Sequence, residues 1–199
     1  MSGQVPTQAT TDGRPGADVS LRRAQPSDAA RILAWRREPS ANRYQPLQPR
    51  ELASMEAELA ARAVPAIGPE LIDKVQWIVQ AAGEPAGWIT LTVTSRDHTT
   101  GSIGYTIGAR YRRRGYAGAA VRAVISLAFA ADGADLDRLE AVAAVANGGS
   151  RKVLEQSGFQ LEGIARELLV IHGERVDHAC YALLRSEWHA NPSIPEQFE

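Results

Sequence analysis

The chain has 199 residues, 44% of them hydrophobic and 23% charged, with a formal net charge of −1. That length supports one sizeable core, and the near-neutral balance gives no electrostatic case for a nucleic-acid or anionic-membrane partner. A single cysteine excludes an intramolecular disulfide framework and a Cys-rich zinc site, and no apolar run approaches the roughly 18 residues of a membrane-spanning helix.

Residues 1–18 are rich in Thr, Gly, Pro and Gln and cannot bury enough surface to offset their ordering entropy, so a flexible leader is expected. They lack the basic-then-apolar order of a signal peptide, which makes the cytoplasm the expected compartment. Val19–Arg23 reads as a first strand. Ser27 can cap a helix running to about Arg37, with Ala29, Ile32, Leu33 and Trp35 turned inward, and Pro39 ends it. Glu51–Ala63 reads as a second, Ala-rich helix. Val75–Ala81 and Gly87–Thr94 form a hairpin about Gly83-Glu84-Pro85. Asp97–Gly101 then turns the chain into a strand at Ile103–Ile107. Ala117, Val121, Val124, Ile125, Ala128 and Phe129 recur at helical spacing. Leu139–Val145 is a strand, Gly149–Gln156 a helix, and two long strands flank Gly173. Cys180 falls in the second of these, as a small buried thiol. Residues 189–199 read as a polar tail, which leaves one domain over 19–188.

The most informative segment is Arg112-Arg113-Arg114-Gly115-Tyr116-Ala117-Gly118, which joins a strand to a helix. A basic turn followed by a glycine at a helix start gathers free backbone N–H groups at the positive end of the helix dipole, an arrangement that binds phosphate. From these residues alone, a solvated basic turn capping a helix is an equal reading.

Arg112-x-x-Gly115-x-Ala117 resembles the Q/R-x-x-G-x-G/A signature of the GNAT superfamily of acyl-CoA-dependent N-acyltransferases. Leu136–Val142, Asn147–Phe159, Glu162-Gly163, Gly173, Asp177, Tyr181 and Glu187-Trp188 continue the likeness. With Leu21-Arg22, Asp28 and Trp35-Arg36, they resemble the ribosomal-protein N-terminal acetyltransferases, the Rim type. The resemblance implies an α/β fold with the order β-α-α-β-β-β-α-β-α-β-β. Its central sheet is mixed, mainly antiparallel and splayed between the fourth and fifth strands, with helices on both faces.

The same resemblance implies sites. The pyrophosphate of acetyl-CoA would lie on backbone N–H groups of Arg113, Arg114, Gly115, Tyr116, Ala117 and Gly118, with Arg112 and Arg114 adding charge and Tyr116 packing over the cofactor or the loop. Many members carry glycine where this chain has Arg113. The pantetheine arm would run along Tyr105–Gly108, with a backbone N–H near Thr106 or Ile107 stabilising the oxyanion. Asn147 would bond the pantetheine and Ser150 would lie near the sulfur, although both residues are also good helix caps. The tyrosine acid of many members is replaced by Leu154, and Ser102 stands where Rim-type relatives often carry a glutamate base. Asp97, Glu140 and Glu167 read as structural or surface charges, and His98, His172 and His178 as non-catalytic. Trp35, Tyr44, Trp77 and Trp88 are the expected walls of the acceptor pocket. No metal is implied. The implied activity is acetyl transfer to a primary amine by direct attack, with an α-amine favoured and aminoglycosides or polyamines open. A non-catalytic CoA-binding or regulatory module is the alternative, and a homodimer is open.

Overall fold

The computed structural model describes residues 19–46, 49–62, 67–70 and 73–188. The leader and tail expected at the two ends lie outside these residues. The elements are β1 (Val19–Arg23), α1 (Ala29–Arg37), α2 (Pro39–Asn42), α3 (Leu52–Ala61), β2 (Lys74–Ala81), β3 (Glu84–Ser95) and β4 (Thr100–Ile107). They are followed by α4 (Tyr116–Phe129), β5 (Arg138–Ala144), α5 (Gly148–Gln156), β6 (Gln160–Ile171) and β7 (Glu174–Leu184). The expected order holds, with the short α2 added after the helix that Pro39 was expected to end.

Two local expectations shift by a few residues. The start of α1 is organised by Asp28 and not by Ser27. The Asp28 carboxylate accepts the Gln25 N–H at 2.8 Å and both guanidinium nitrogens of Arg22 at 2.7 Å. The β2–β3 turn is tighter than the Gly83-Glu84-Pro85 pattern suggests. It consists of Ala82 and Gly83, both at positive φ, and Pro85 already pairs with Gln80 inside the ladder. His172 and Gly173, also both at positive φ, close the β6–β7 hairpin in the same manner.

All seven strands form one sheet in the order β1-β2-β3-β4-β5-β7-β6. Every neighbour is antiparallel except β4 and β5, which run parallel and pair only through Thr100, Gly101 and Ser102 against Arg138, Leu139 and Glu140. Beyond Ser102, β4 stays with β3 while β5 stays with β7, and a cleft opens between them. The splay is therefore where the resemblance implies it.

Because side chains alternate along a strand, neighbouring residues serve different cores. Trp77, Val79, Ile89, Leu91, Ile103 and Leu139 pack with Val121, Val124, Ile125 and Phe129 of α4 on one face. Ile78 and Trp88 pack with Ile32, Leu33 and Trp35 of α1 and with Met55 and Leu59 of α3 on the other. Helices thus cover both faces, and the two cores hold β3 and β4 rigidly beside the cleft.

Candidate active site

The backbone polarity of β4 decides what the cleft offers. Gly108 donates its N–H to Ala86 O at 2.8 Å, and a Cβ on Gly87 would lie 2.2 Å from Thr106 O. Thr106 and Gly108 therefore turn their backbone groups toward β3. Alternation turns those of Tyr105 and Ile107 the other way, toward the gap left by β5. Their carbonyls are satisfied from outside the sheet. Gln45 Nε2 donates to Tyr105 O at 3.3 Å, and Arg112 Nε donates to Ile107 O at 2.7 Å. Their N–H groups open on the cleft with no β5 partner, since the β4–β5 ladder stops at Ser102 and Glu140. Of the two oxyanion donors expected from the sequence, Ile107 has the N–H that faces the cleft. The Thr106 hydroxyl is buried and tied to the Gln45 amide at 3.1 Å.

The cleft holds about 180 Å³ and is lined by β4, the inner end of β5, the start of α5, Tyr44–Pro46, Leu169 and His178. Asn147 caps α5, its side-chain oxygen accepting the Ser150 N–H at 3.2 Å. The capping function is thus real, and it occupies only the oxygen, leaving the amide N–H₂ of Asn147 at the cleft wall. Ser150 lies one turn before Leu154 on the same helix face, and both line the cleft. The Ser150 hydroxyl is 3.0 Å from the Tyr105 phenol oxygen, which also donates to Ser150 O at 3.2 Å. Burial pushes the Tyr105 phenol up to about 12, against a smaller lowering by the Ser150 hydrogen bond, so it stays protonated at neutral pH.

Past the end of β4, the chain leads through Gly108–Gly115 into the N-terminus of α4. Gly115 is its N-cap, at φ 82°, and no side chain caps the helix. The first intrahelical bond is Ala119 N–H to Gly115 O, so the N–H groups of Tyr116, Ala117 and Gly118 are free of helix partners. Arg113 sits at φ 60°, a left-handed conformation that glycine adopts without strain. This torsion is the physical reason a glycine suits that position. Arg113 and Arg114 are exposed. Arg112, by contrast, is anchored. Besides bonding Ile107 O, it reaches Glu38 Oε2 at 3.5 Å, and the same carboxylate oxygen accepts the Ala109 N–H at 2.9 Å.

Residues 18–160 match the family described as acetyltransferase (GNAT) domain. The chain belongs to the GNAT family. YdaF of Bacillus subtilis (strain 168), named as a candidate ribosomal N-acetyltransferase, is 37% identical over 106 residues, which are 53% of this chain and 57% of YdaF. The chain thus matches little more than half the length of that curated relative. Among solved structures, Mycobacterium smegmatis RimJ in complex with CoA-disulfide aligns with a TM-score of 0.73 at 24% identity, covering 86% of this chain and 85% of RimJ. Spermidine N-acetyltransferase from Vibrio cholerae, in complex with CoA and spermine, aligns with a TM-score of 0.74 at 18% identity, covering 86% and 98%. These two structures share the fold. The likeness to the Rim type read from the sequence agrees with the matches to YdaF and RimJ.

Within this GNAT fold, the expected acceptor walls separate. Tyr44 lines the cleft, whereas Trp77 lies in the α4 core and Trp35 and Trp88 in the opposite core. None of the carboxylates weighed as a base reaches the cleft lining. Glu140 pairs with Arg138 at 3.0 Å beside the closed end of the splay, and Glu167 lines an exposed depression with Arg166 and Asp177. The sequence reading placed Tyr105 on the pantetheine strand for its backbone but not its side chain, set His178 aside as non-catalytic, and missed Gln45. The signal for Tyr105 was its phase with Ile103 and Ile107, which turns it toward the helix that carries Ser150. Gln45 and His178 carried no such signal. Among the described residues, no helix is long and apolar enough to cross a membrane, and no group of three metal-ligating side chains occurs.

Proposed function

We propose that the protein is an acetyl-CoA-dependent N-acetyltransferase whose amine acceptor attacks the thioester directly. The single observation carrying this reading is a β4–β5 cleft walled by Tyr105, Asn147 and Ser150, on the strand whose following loop forms the uncapped N-terminus of α4. Backbone N–H groups of Arg113–Gly118, with the helix dipole, suit the pyrophosphate, and Arg114 adds charge at the rim. Gly115 permits close approach there. Arg112 acts differently from Arg114, holding the loop against the end of β4. Along β4, the open N–H groups of Tyr105 and Ile107 suit an extended pantetheine arm. Asn147 can donate its free amide N–H to the same arm.

At the reacting carbon, the Ile107 N–H would stabilise the oxyanion, with Thr106 and its Gln45 bond fixing that stretch of strand. Ser150 would donate its hydroxyl hydrogen to the departing thiolate, with the Tyr105 phenol hydrogen turned from Ser150 O to Ser150 Oγ. A thiol of pKa about 8.5 leaves readily near neutrality, and the phenol at about 12 lies roughly 3.5 units above it. Proton transfer from Tyr105 to the thiolate is therefore uphill. Tyr105 orients Ser150 and does not supply the proton.

The acceptor we favour is an α-amine, of a protein N-terminus or an amino-acid-like metabolite. An α-amine of pKa about 8 is neutral far more often at pH 7.4 than a lysine-like amine of pKa about 10.4. Among the described residues no Asp or Glu lines the cleft, so the additional cationic groups of a polyamine meet no counter-charge from them there. The test is thiol release from acetyl-CoA with two peptides, one bearing a free α-amine and one N-blocked with a free lysine. Faster acetylation of the α-amine is expected. Preference for the blocked lysine peptide would overturn the acceptor, and binding of acetyl-CoA without turnover on any amine would favour the non-catalytic module.

A further inference from the structure

We infer that His178 is the general base of this reaction, taking the proton from the attacking amine. The inference rests on the transferase reading above and supplies the group that the sequence leaves without a candidate. Among the described residues, Tyr44, Tyr105 and His178 are the cleft-lining side chains that can exchange a proton, and of these only the imidazole offers a neutral nitrogen lone pair. His178 is 2% exposed. Its Nδ1 lies 2.9 Å from Val176 O. A carbonyl only accepts, so Nδ1 carries the hydrogen, and the neutral ring then keeps a lone pair on Nε2. No hydrogen bond reaches that nitrogen from any described residue, so the ring holds an unspent acceptor at the cleft wall.

Its side of the sheet is also right. Ala179, Tyr181 and Leu183 of β7 face the α4 core, so alternation turns His178 to the opposite face. Tyr105 packs against the α4 core and reaches Ser150 on that side. The leaving sulfur and the incoming amine are thus served from opposite faces of the splay, so each has its own group at the tetrahedral intermediate. As the C–N bond forms, the amine proton passes to His178 Nε2. The C–S bond then breaks with its electron pair on sulfur, and the imidazolium returns its proton to solvent or thiolate.

The neighbouring titratable groups are few. His178 pairs with Ala144 of β5 and Ala165 of β6, and among the described residues the titratable side chains sharing its cleft are Tyr105 on β4 and Tyr44 after α2. Asp177 precedes His178, and its carboxylate accepts the Glu167 N–H at 2.7 Å.

The decisive variant is His178→Asn, whose amide keeps a donor for Val176 O while removing the Nε2 base. With acetyl-CoA and the free α-amine peptide, kcat should fall about 100-fold or more, while the rise in Tm caused by acetyl-CoA is unchanged. In the wild-type protein, the slope of log(kcat/KM) against pH should fall by one unit at a break that a change of acceptor amine does not move, and the variant should lack that break. A variant within threefold of wild type, with the same profile, overturns the role of His178. If the variant fails to fold, the wild-type profile decides, and the absence of such a break overturns it equally. Wild-type protein that binds acetyl-CoA but acetylates no amine overturns the transferase reading itself, and the base with it.

Discussion

Tyr105 and Ser150 form a pair whose members come from different elements and meet at the inner wall of the cleft. The phenol holds two bonds to Ser150, one to its hydroxyl and one to its carbonyl. If Ser150 attends the thiolate and Tyr105 orients it, Ser150→Ala should lower kcat while leaving acetyl-CoA affinity nearly unchanged. Tyr105→Phe should lower kcat less, by about tenfold, roughly the loss of one net hydrogen bond. The double variant should be no slower than Ser150→Ala, because the phenol's remaining bond, to the backbone carbonyl of residue 150, touches no reacting atom. Steady-state kinetics of the three variants check this. Additive losses would mean that Tyr105 acts on the substrate independently.

Element-level stability is concentrated where the first helix leaves the first strand. Burial alone would raise the Asp28 carboxyl, but the Arg22 hydrogen bond, the Gln25 N–H and the charges of Arg22 and Arg31 outweigh it and hold the group below its ordinary range. A depressed folded-state pKa adds stability that is fully present above the unfolded value near 3.9 and is lost as pH falls through the folded value. Asp28→Asn should therefore cost about 2–3 kcal/mol at pH 7, the scale of a lost charged hydrogen-bond pair. The difference from wild type should shrink once pH drops below about 4. Denaturant unfolding at pH 7 and pH 3.5 measures both. The same carboxylate fixes the entry angle of α1, whose Trp35 indole lies where a Cβ on Gly108 would be only 2.7 Å from its Nε1. The end of β4 is thus positioned partly from the N-terminal helix.

At the scale of the whole molecule, ligand binding and folding are linked. Acetyl-CoA at 100 times its Kd should stabilise the fold by about 2.7 kcal/mol. For a chain of this size that corresponds to a Tm rise of roughly 5–10 °C. Gly115→Val should abolish the rise and should itself cost about 1–2 kcal/mol, because Gly115 is at φ 82°. Gly115→Asn separates the two effects, since asparagine tolerates that torsion yet still crowds the approach to the free N–H groups. It should retain most of the stability and lose most of the ligand-induced shift. Calorimetry with and without acetyl-CoA decides it, and an undiminished rise in either variant would remove the cradle from this loop.

Local pattern by itself determined the elements and marked the basic turn that opens α4. Period-2 and helical spacing are properties of the chain, so β1, β4, α4 and α5 were legible to within a few residues, and the glycine of the α4 turn was visible as a helix-start signal. Asn147 was legible as a cap for the same reason. The splay was implied by resemblance alone, because the ladder between β4 and β5 ends according to what satisfies the backbone of β4. That satisfaction comes from Gln45 and Arg112, which lie 60 residues before Tyr105 and 5 after Ile107. Only the tertiary structure could bring Tyr105 to Ser150 across 45 residues, or send Trp77 and Trp88 to opposite cores. His178 belongs with these. Its tautomer is set by a carbonyl two residues away, but its place on the cleft is set by the register of β7 between β5 and β6, which no local pattern encodes.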